Sequence, residues 1–129
     1  MLSWLCDNYE GEIQLSFGMT THEEEEQIVR LFEKHGRAKD LILFSCTSGY
    51  PVPFEDVCLL EISRMREQFE KRVKAIGFSG HHLGVAVDVA AYTLGRMSLN
   101  VIIHWTVHGR ELTMRHLLSR MESADLSAI

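Results

Sequence analysis

Cysteine is scarce in this 129-residue sequence: Cys6, Cys46 and Cys58 are odd in number and lack a CxxC spacing. That argues against a disulfide framework and a structural zinc site, and it reads as reduced thiols in a cytoplasmic protein. Proline is equally sparse, with two residues, Pro51 and Pro53, in one loop. No apolar run approaches the roughly 18 residues that a membrane span needs. Met1 to Glu10 has neither a basic flank nor a long apolar stretch, so it does not read as a secretory signal. Basic residues are not in excess either: 13 Lys and Arg against 18 Asp and Glu give a formal charge of −5, with a pI near 5.8. A surface of that sign excludes nucleic acid and acidic membranes as natural partners.

What remains is a composition with 46% hydrophobic residues, enough for one globular domain over residues 1–129. Strand-like and helix-like segments alternate along it. Met1 to Tyr9 reads as the end of a helix and Ile13 to Phe17 as a short strand. Thr21 with Glu24 forms a capping-box pattern. Glu23 to Glu26 complement the helix dipole and read as a solvated first turn. Ile28, Leu31, Phe32 and His35 follow at helical spacing, and Gly36 is a natural stop. Asp40 to Cys46 is a continuous apolar strand of the kind covered on both faces, and Thr47 to Pro53 is a polar loop. A helix is expected near Glu55 to Lys71, with Cys58, Ile62, Met65 and Phe69 as its stripe. Val73 to Phe78 reads as a third strand and Leu99 to Trp105 as a fourth. Val85 to Leu94, apolar nearly all round, reads as a buried helix between them, and Arg110 to Met121 as a last helix.

Repeated βα units predict a parallel sheet with right-handed crossovers. About four units are present, near half of the eight-stranded, roughly 250-residue TIM-type (β/α)8 barrel. A half-barrel would leave strand edges to be covered by a second copy, by a complementary chain or by settling as an open sheet.

Three strand ends carry polar residues suited to chemistry, since α/β folds bind ligands at the C-terminal rim of the sheet. Ser16-Phe17-Gly18-Met19-Thr20-Thr21 is either an anion cradle at a helix N-terminus or an ordinary capped turn. Ser45-Cys46-Thr47-Ser48-Gly49-Tyr50-Pro51 either grips phosphate, carboxylate or sugar hydroxyls or satisfies its own backbone. Ser79-Gly80-His81-His82 ends the third strand and His104-Trp105-Thr106 the fourth. Alternation places Asn100, Ile102 and His104 on one face. His81 and His104 could therefore meet as imidazole ligands, with oxygen donors completing a hard divalent ion.

In this order the motifs Ser16-Phe17-Gly18-Met19, Cys46-Thr47-Ser48-Gly49-Tyr50-Pro51, Gly77-Phe78-Ser79-Gly80-His81-His82-Leu83-Gly84 and His104-Trp105-Thr106 resemble the sialic acid (N-acetylneuraminate) synthase family. The resemblance covers roughly residues 10 to 108. It implies the second half of that family's catalytic (β/α)8 barrel, strands five to eight. It also implies a cytoplasmic transferase of carbohydrate biosynthesis that condenses phosphoenolpyruvate with an N-acetylated hexose of the N-acetylmannosamine type, using Mn2+ or Mg2+. Residue by residue, it implies that His81 and His104 hold the metal, that Ser16, Thr47 and Ser79 hold phosphoenolpyruvate, and that Ser48 and Tyr50 touch the sugar. No residue here is assigned as the catalytic acid or base.

The departures are equally specific. Phe17 stands where the family usually has threonine, Ile102 and Ile103 where it has an acidic and a basic residue, and Arg115 where an acid helps bind the sugar. The barrel's first half, with the family's catalytic glutamate and its lysines for phosphoenolpyruvate, has no counterpart here, and neither has the antifreeze-like domain. The expectation is thus a truncated synthase with little activity alone. The competing readings are a non-catalytic oligomeric half-barrel module and a flavodoxin-like open sheet that binds a small anion.

Overall fold

A computed structural model describes residues 1–83, 86–95, 101–107 and 110–113, with Gly95 and the last two segments given by their backbone. The elements run α1 (Leu2–Asn8), β1 (Ile13–Phe17), α2 (His22–Lys34), β2 (Leu41–Cys46), α3 (Leu60–Phe69), β3 (Ala75–Gly80), α4 (Ala86–Gly95), β4 (Val101–Val107) and β5 (Arg110–Thr113). One five-stranded sheet has the order β1-β2-β3-β4-β5. The first four strands are parallel, and β5 returns antiparallel to β4.

The order never reverses along β1 to β4. Right-handed crossovers taken always in one direction stack their helices on a single face, and the packing shows this. Ile13, Phe17, Leu41, Leu43 and Ile76 share a core with Cys6 of α1, Val29 and Phe32 of α2, and Met65 and Phe69 of α3. Phe78 packs with Ile62 of α3 and with Val87 and Ala91 of α4. Ile42, Phe44 and Ala75 form a separate small cluster on the opposite face. A doubly wound sheet of the flavodoxin type needs a reversal of strand order, and among the described strands there is none.

The capping box at Thr21 forms as its spacing predicts: Glu24 N–H donates to Thr21 Oγ1, and Thr21 N–H donates to the Glu24 carboxylate at 2.8 Å. At the other end of α2, Gly36 takes φ +69°. Gly36 N–H donates to Glu33 O, and Arg37 N–H donates back to Phe32 O at 2.8 Å. These two bonds are a Schellman ending, which needs a residue tolerant of the left-handed region. The turn delivers Arg37 to the N-terminal segment, where its guanidinium donates to the carbonyls of Cys6, Tyr9 and Gly11 and pairs with Asp40.

Four expectations change. The acidic start of α2 is not simply solvated. Glu25 is buried and pairs with Arg64 of α3 at 2.6 Å, and Glu26 and Glu33 share Arg72. These carboxylates bolt α2 to α3 and to the turn that follows it, a role invisible in a single helix. The helix expected from Glu55 begins at Leu60. Phe54–Asp56 instead form one 3-10 turn after Pro53, and the Thr47 hydroxyl donates to Asp56 O, so Cys58 falls outside α3 and is exposed. α4 is not buried all round, since it packs by one face and leaves Val89 58% exposed. Finally, Arg110–Thr113 is a strand. The two residues His108 and Gly109 that separate it from β4 give a connection of hairpin length. The rest of the expected last helix, including Arg115, lies outside the described residues, as do Gly84, Val85, Leu99 and Asn100.

The Glu26 carboxyl is held down to about 2, first by the hydrogen bond from Arg72. Such a carboxylate contributes stability above its ordinary value of 4.5, and loses that contribution as pH falls toward 2. We expect the thermal midpoint, followed by circular dichroism, to fall between about pH 5 and about pH 2. The fall should be shallower in Arg72→Met.

Candidate functional site

The C-terminal ends of β1, β2 and β3 form one rim, and the register fixes which residues line it. Ser16 stands opposite Phe44, which stands opposite Gly77, while Cys46 stands opposite Ser79, which in turn stands opposite His104. Partners across a parallel ladder point to one side. Ser16, Cys46, Ser79 and the His104 position therefore share the face opposite the helices. Ile102 holds the next position on that face, opposite Gly77.

Ser79 sits at the centre of this row and is buried. Its hydroxyl oxygen lies 3.4 Å from His81 Nε2. The Cys46 thiol is pushed above its ordinary value by burial, and the hydrogen bond with Ser79 works against that shift. At neutral pH Cys46 is thus a protonated thiol rather than a nucleophile. The His81 carbonyl accepts from Val52 N–H at 2.9 Å, which ties the end of β3 to the loop after β2. The His81 ring leans on Tyr50 with centroids 5.0 Å apart, and Tyr50 itself is 70% exposed.

The loops interlock above β1. A Cβ at Gly18 would lie 2.7 Å from Ser48 Oγ and 3.6 Å from Cys46 Sγ, so the two loops approach closely here and a larger residue would make the exposed Ser48 hydroxyl turn aside. Thr47, Val52, Val57, Phe78, Ser79, Gly80, His81 and His82 line a small depression beside this junction. Thr47 reaches it with its hydroxyl already donating to Asp56 O at 3.1 Å. Ser16 and Ser48 are exposed.

The fold thus brings Ser79, His81, Tyr50 and the His104 position together, with Thr47 and Ser48 on the adjoining loop and Ser16 further along the rim. An imidazole beside a serine hydroxyl, with a second histidine position opposite that serine on β4, suits a divalent cation that takes oxygen for its remaining ligands. Among the described residues, no three His, Cys, Asp or Glu side chains gather to hold one unaided.

The sequence reading passed over one buried pair. The His82 side chain is 1% exposed, and its Nε2 lies 3.3 Å from Asp88 Oδ2 in the first turn of α4. The N–H is not aimed for a hydrogen bond, and His82 Nδ1 and Nε2 and Asp88 Oδ1 lack hydrogen-bond partners among the described residues. Burial pushes the Asp88 carboxyl up, and the facing imidazole opposes it. The available signal was Asp88 itself, the one charged residue in Ala86–Gly95.

The NeuB family profile matches residues 1–129. The chain belongs to the NeuB family. It is 35% identical over 115 residues to the N-acetylneuraminate-9-phosphate synthase of Drosophila melanogaster, covering 89% of this chain and 29% of that protein. It is 38% identical over 81 residues to a pseudaminic acid synthase of Campylobacter jejuni, covering 63% of this chain and 22% of that one. The crystal structure of the N-acetylneuraminic acid synthetase of Leptospira borgpetersenii in complex with citrate superposes with a TM-score of 0.69 at 25% identity, over 82% of this chain and 34% of that one. The match of this NeuB-family chain thus spans 22% to 34% of the length of these relatives. Among its described residues, no helix is long and apolar enough to cross a membrane.

A Cβ on Gly80 would lie 2.6 Å from His82 Cε1 and 3.0 Å from Phe78 Cε1. Gly80→Ala should cost about 1–3 kcal/mol in urea unfolding, the usual penalty of overpacking. In a His82→Ala background the same change should cost much less, because the clash is with that ring.

Proposed function

We propose that this chain is the strand-five-to-eight half of a synthase barrel that condenses phosphoenolpyruvate with an N-acetylated hexose, and that its rim carries part of that active site. The observation that carries the reading is the Cys46–Ser79–His104 register. It sets the fourth-strand histidine next to the serine that touches His81, in a chain matched throughout by the NeuB profile. In this reading His81 and His104 are the ligands of Mn2+ or Mg2+, and Ser16, Thr47 and Ser79 bind phosphoenolpyruvate. Ser48 and Tyr50 face the sugar, with the Tyr50 ring braced on His81.

The metal supplies Lewis acidity at the sugar carbonyl. The chain's own residues supply positioning: hydroxyls for a phosphate, an exposed aromatic face for a hexose, and histidines at the end of β3 and on β4. The matched segments make up 29% and 22% of those two relatives, and a catalytic acid or base is unassigned on this rim. In this reading the 129-residue chain holds a partial site and works in the cytoplasm, a compartment that suits its free thiols. A complementary half-barrel segment, or a second copy, would complete it. The edge of β1 favours the second reading, a non-catalytic oligomeric half-barrel module: among the described strands β1 pairs only with β2, and an open edge invites association.

Calorimetric titration with Mn2+ tests the site. Saturable binding is expected in the wild type and is expected to disappear in both His81→Ala and His104→Ala; binding that survives both would overturn the ligand assignment. In a phosphate-release assay with phosphoenolpyruvate, N-acetylmannosamine and Mn2+, the chain alone should stay near background. Turnover near the ordinary enzymatic range of about 1 per second or more would refute the partial-site reading.

A further inference from the structure

We propose that the buried His82–Asp88 pair is a positioning device that fixes the direction of the His81 ring; this rests on the reading of His81 as a metal ligand. The pair carries no evident benefit to stability. Both side chains are removed from water, at 1% and 6% exposure, and their contact at 3.3 Å is not a well-formed hydrogen bond. A buried polar pair left partly unsatisfied usually costs more than apolar residues of the same volume. Its cost calls for a role elsewhere, and its neighbour in the chain is the rim histidine.

The geometry shows how the restraint works. The His82 ring folds back under the end of β3, stacked 6.2 Å from the Phe78 ring and 6.5 Å from Phe54. It takes the space that any side chain at Gly80 would need. Asp88 then fastens that ring to the first turn of α4. On the preceding residue, the His81 carbonyl is fixed by Val52 N–H at 2.9 Å. The peptide between His81 and His82 is therefore held on one side by the loop after β2 and on the other by α4. With the backbone fixed at both points, the His81 ring is left to lean on Tyr50 and meet the Ser79 hydroxyl at the rim. Groups that orient a ligand from behind commonly govern its affinity tenfold or more.

The test separates positioning from mere stability. The double variant His82→Leu/Asp88→Ala removes both polar groups, nearly keeps the volume of His82 and gives up only the Asp88 carboxylate. Its thermal midpoint should match or exceed that of the wild type. In histidine-labelled protein, the His81 Cε1–H resonance, assigned by its loss in His81→Ala, should move and broaden in the double variant. Mn2+ affinity by calorimetry should fall about tenfold or more. If the double variant does not fold, Asp88→Ala alone is read in the same way. An unchanged His81 resonance in a folded variant overturns the proposal whatever the metal does. If the wild type binds no Mn2+ while the resonance still moves, positioning stands and the ligand reading of His81 fails.

Discussion

The central constraint is the parallel pairing of Ala75–Gly80 with a neighbour on either side. All six of its residues are buried, so its register cannot slip without turning a core face outward. Every position on the rim is measured from this strand. It sets Ser79 level with Cys46 on one side and with His104 on the other. The described helices follow from the same constraint, because crossovers that advance one strand at a time put them together on the face opposite Ser79. The other face carries Ser16, Cys46 and Ser79, and the polar rim is therefore a by-product of winding direction as much as of sequence.

Much of this was legible along the chain, and the parts that were share a physical reason. The apolar run Leu41–Phe44, the Thr21–Glu24 box and the stop at Gly36 are local signals, decided by a residue and its near neighbours. The motif at His81 was legible in the same way, as a strand end with polar residues after it. The failures turn on partners that the periodicity of a single element does not reveal. Glu25 looked like one more acid on a solvated turn because Arg64, which neutralises it at 2.6 Å, is on another helix. Arg110–Thr113 was taken for helix because its strand character comes from pairing with Val107 and its neighbours, not from periodicity. His82 was overshadowed by His81 since nothing local distinguishes a rim imidazole from one folded inward; only the meeting with Asp88 does.

The rim also divides its polar groups by availability. Thr47 has spent its hydroxyl on the backbone of Asp56, Cys46 is kept protonated by burial, and His82 is enclosed. Ser16, Ser48, Tyr50 and the His81 ring remain turned toward the open side. The chain belongs to the NeuB family, and its match covers 29% of the Drosophila melanogaster relative.

Gly36 has a reach that its place on the surface conceals. Its left-handed turn aims Arg37 at three carbonyls of the first eleven residues, which gather where α1 ends and β1 is about to begin. A β-carbon at position 36 would meet no atom within 4 Å, so a substitution there would look harmless by contact. Its damage would emerge far upstream, as a loosened amino-terminal helix more open to proteases. The attachment of the beginning of the chain is in this sense encoded by a residue that never touches it.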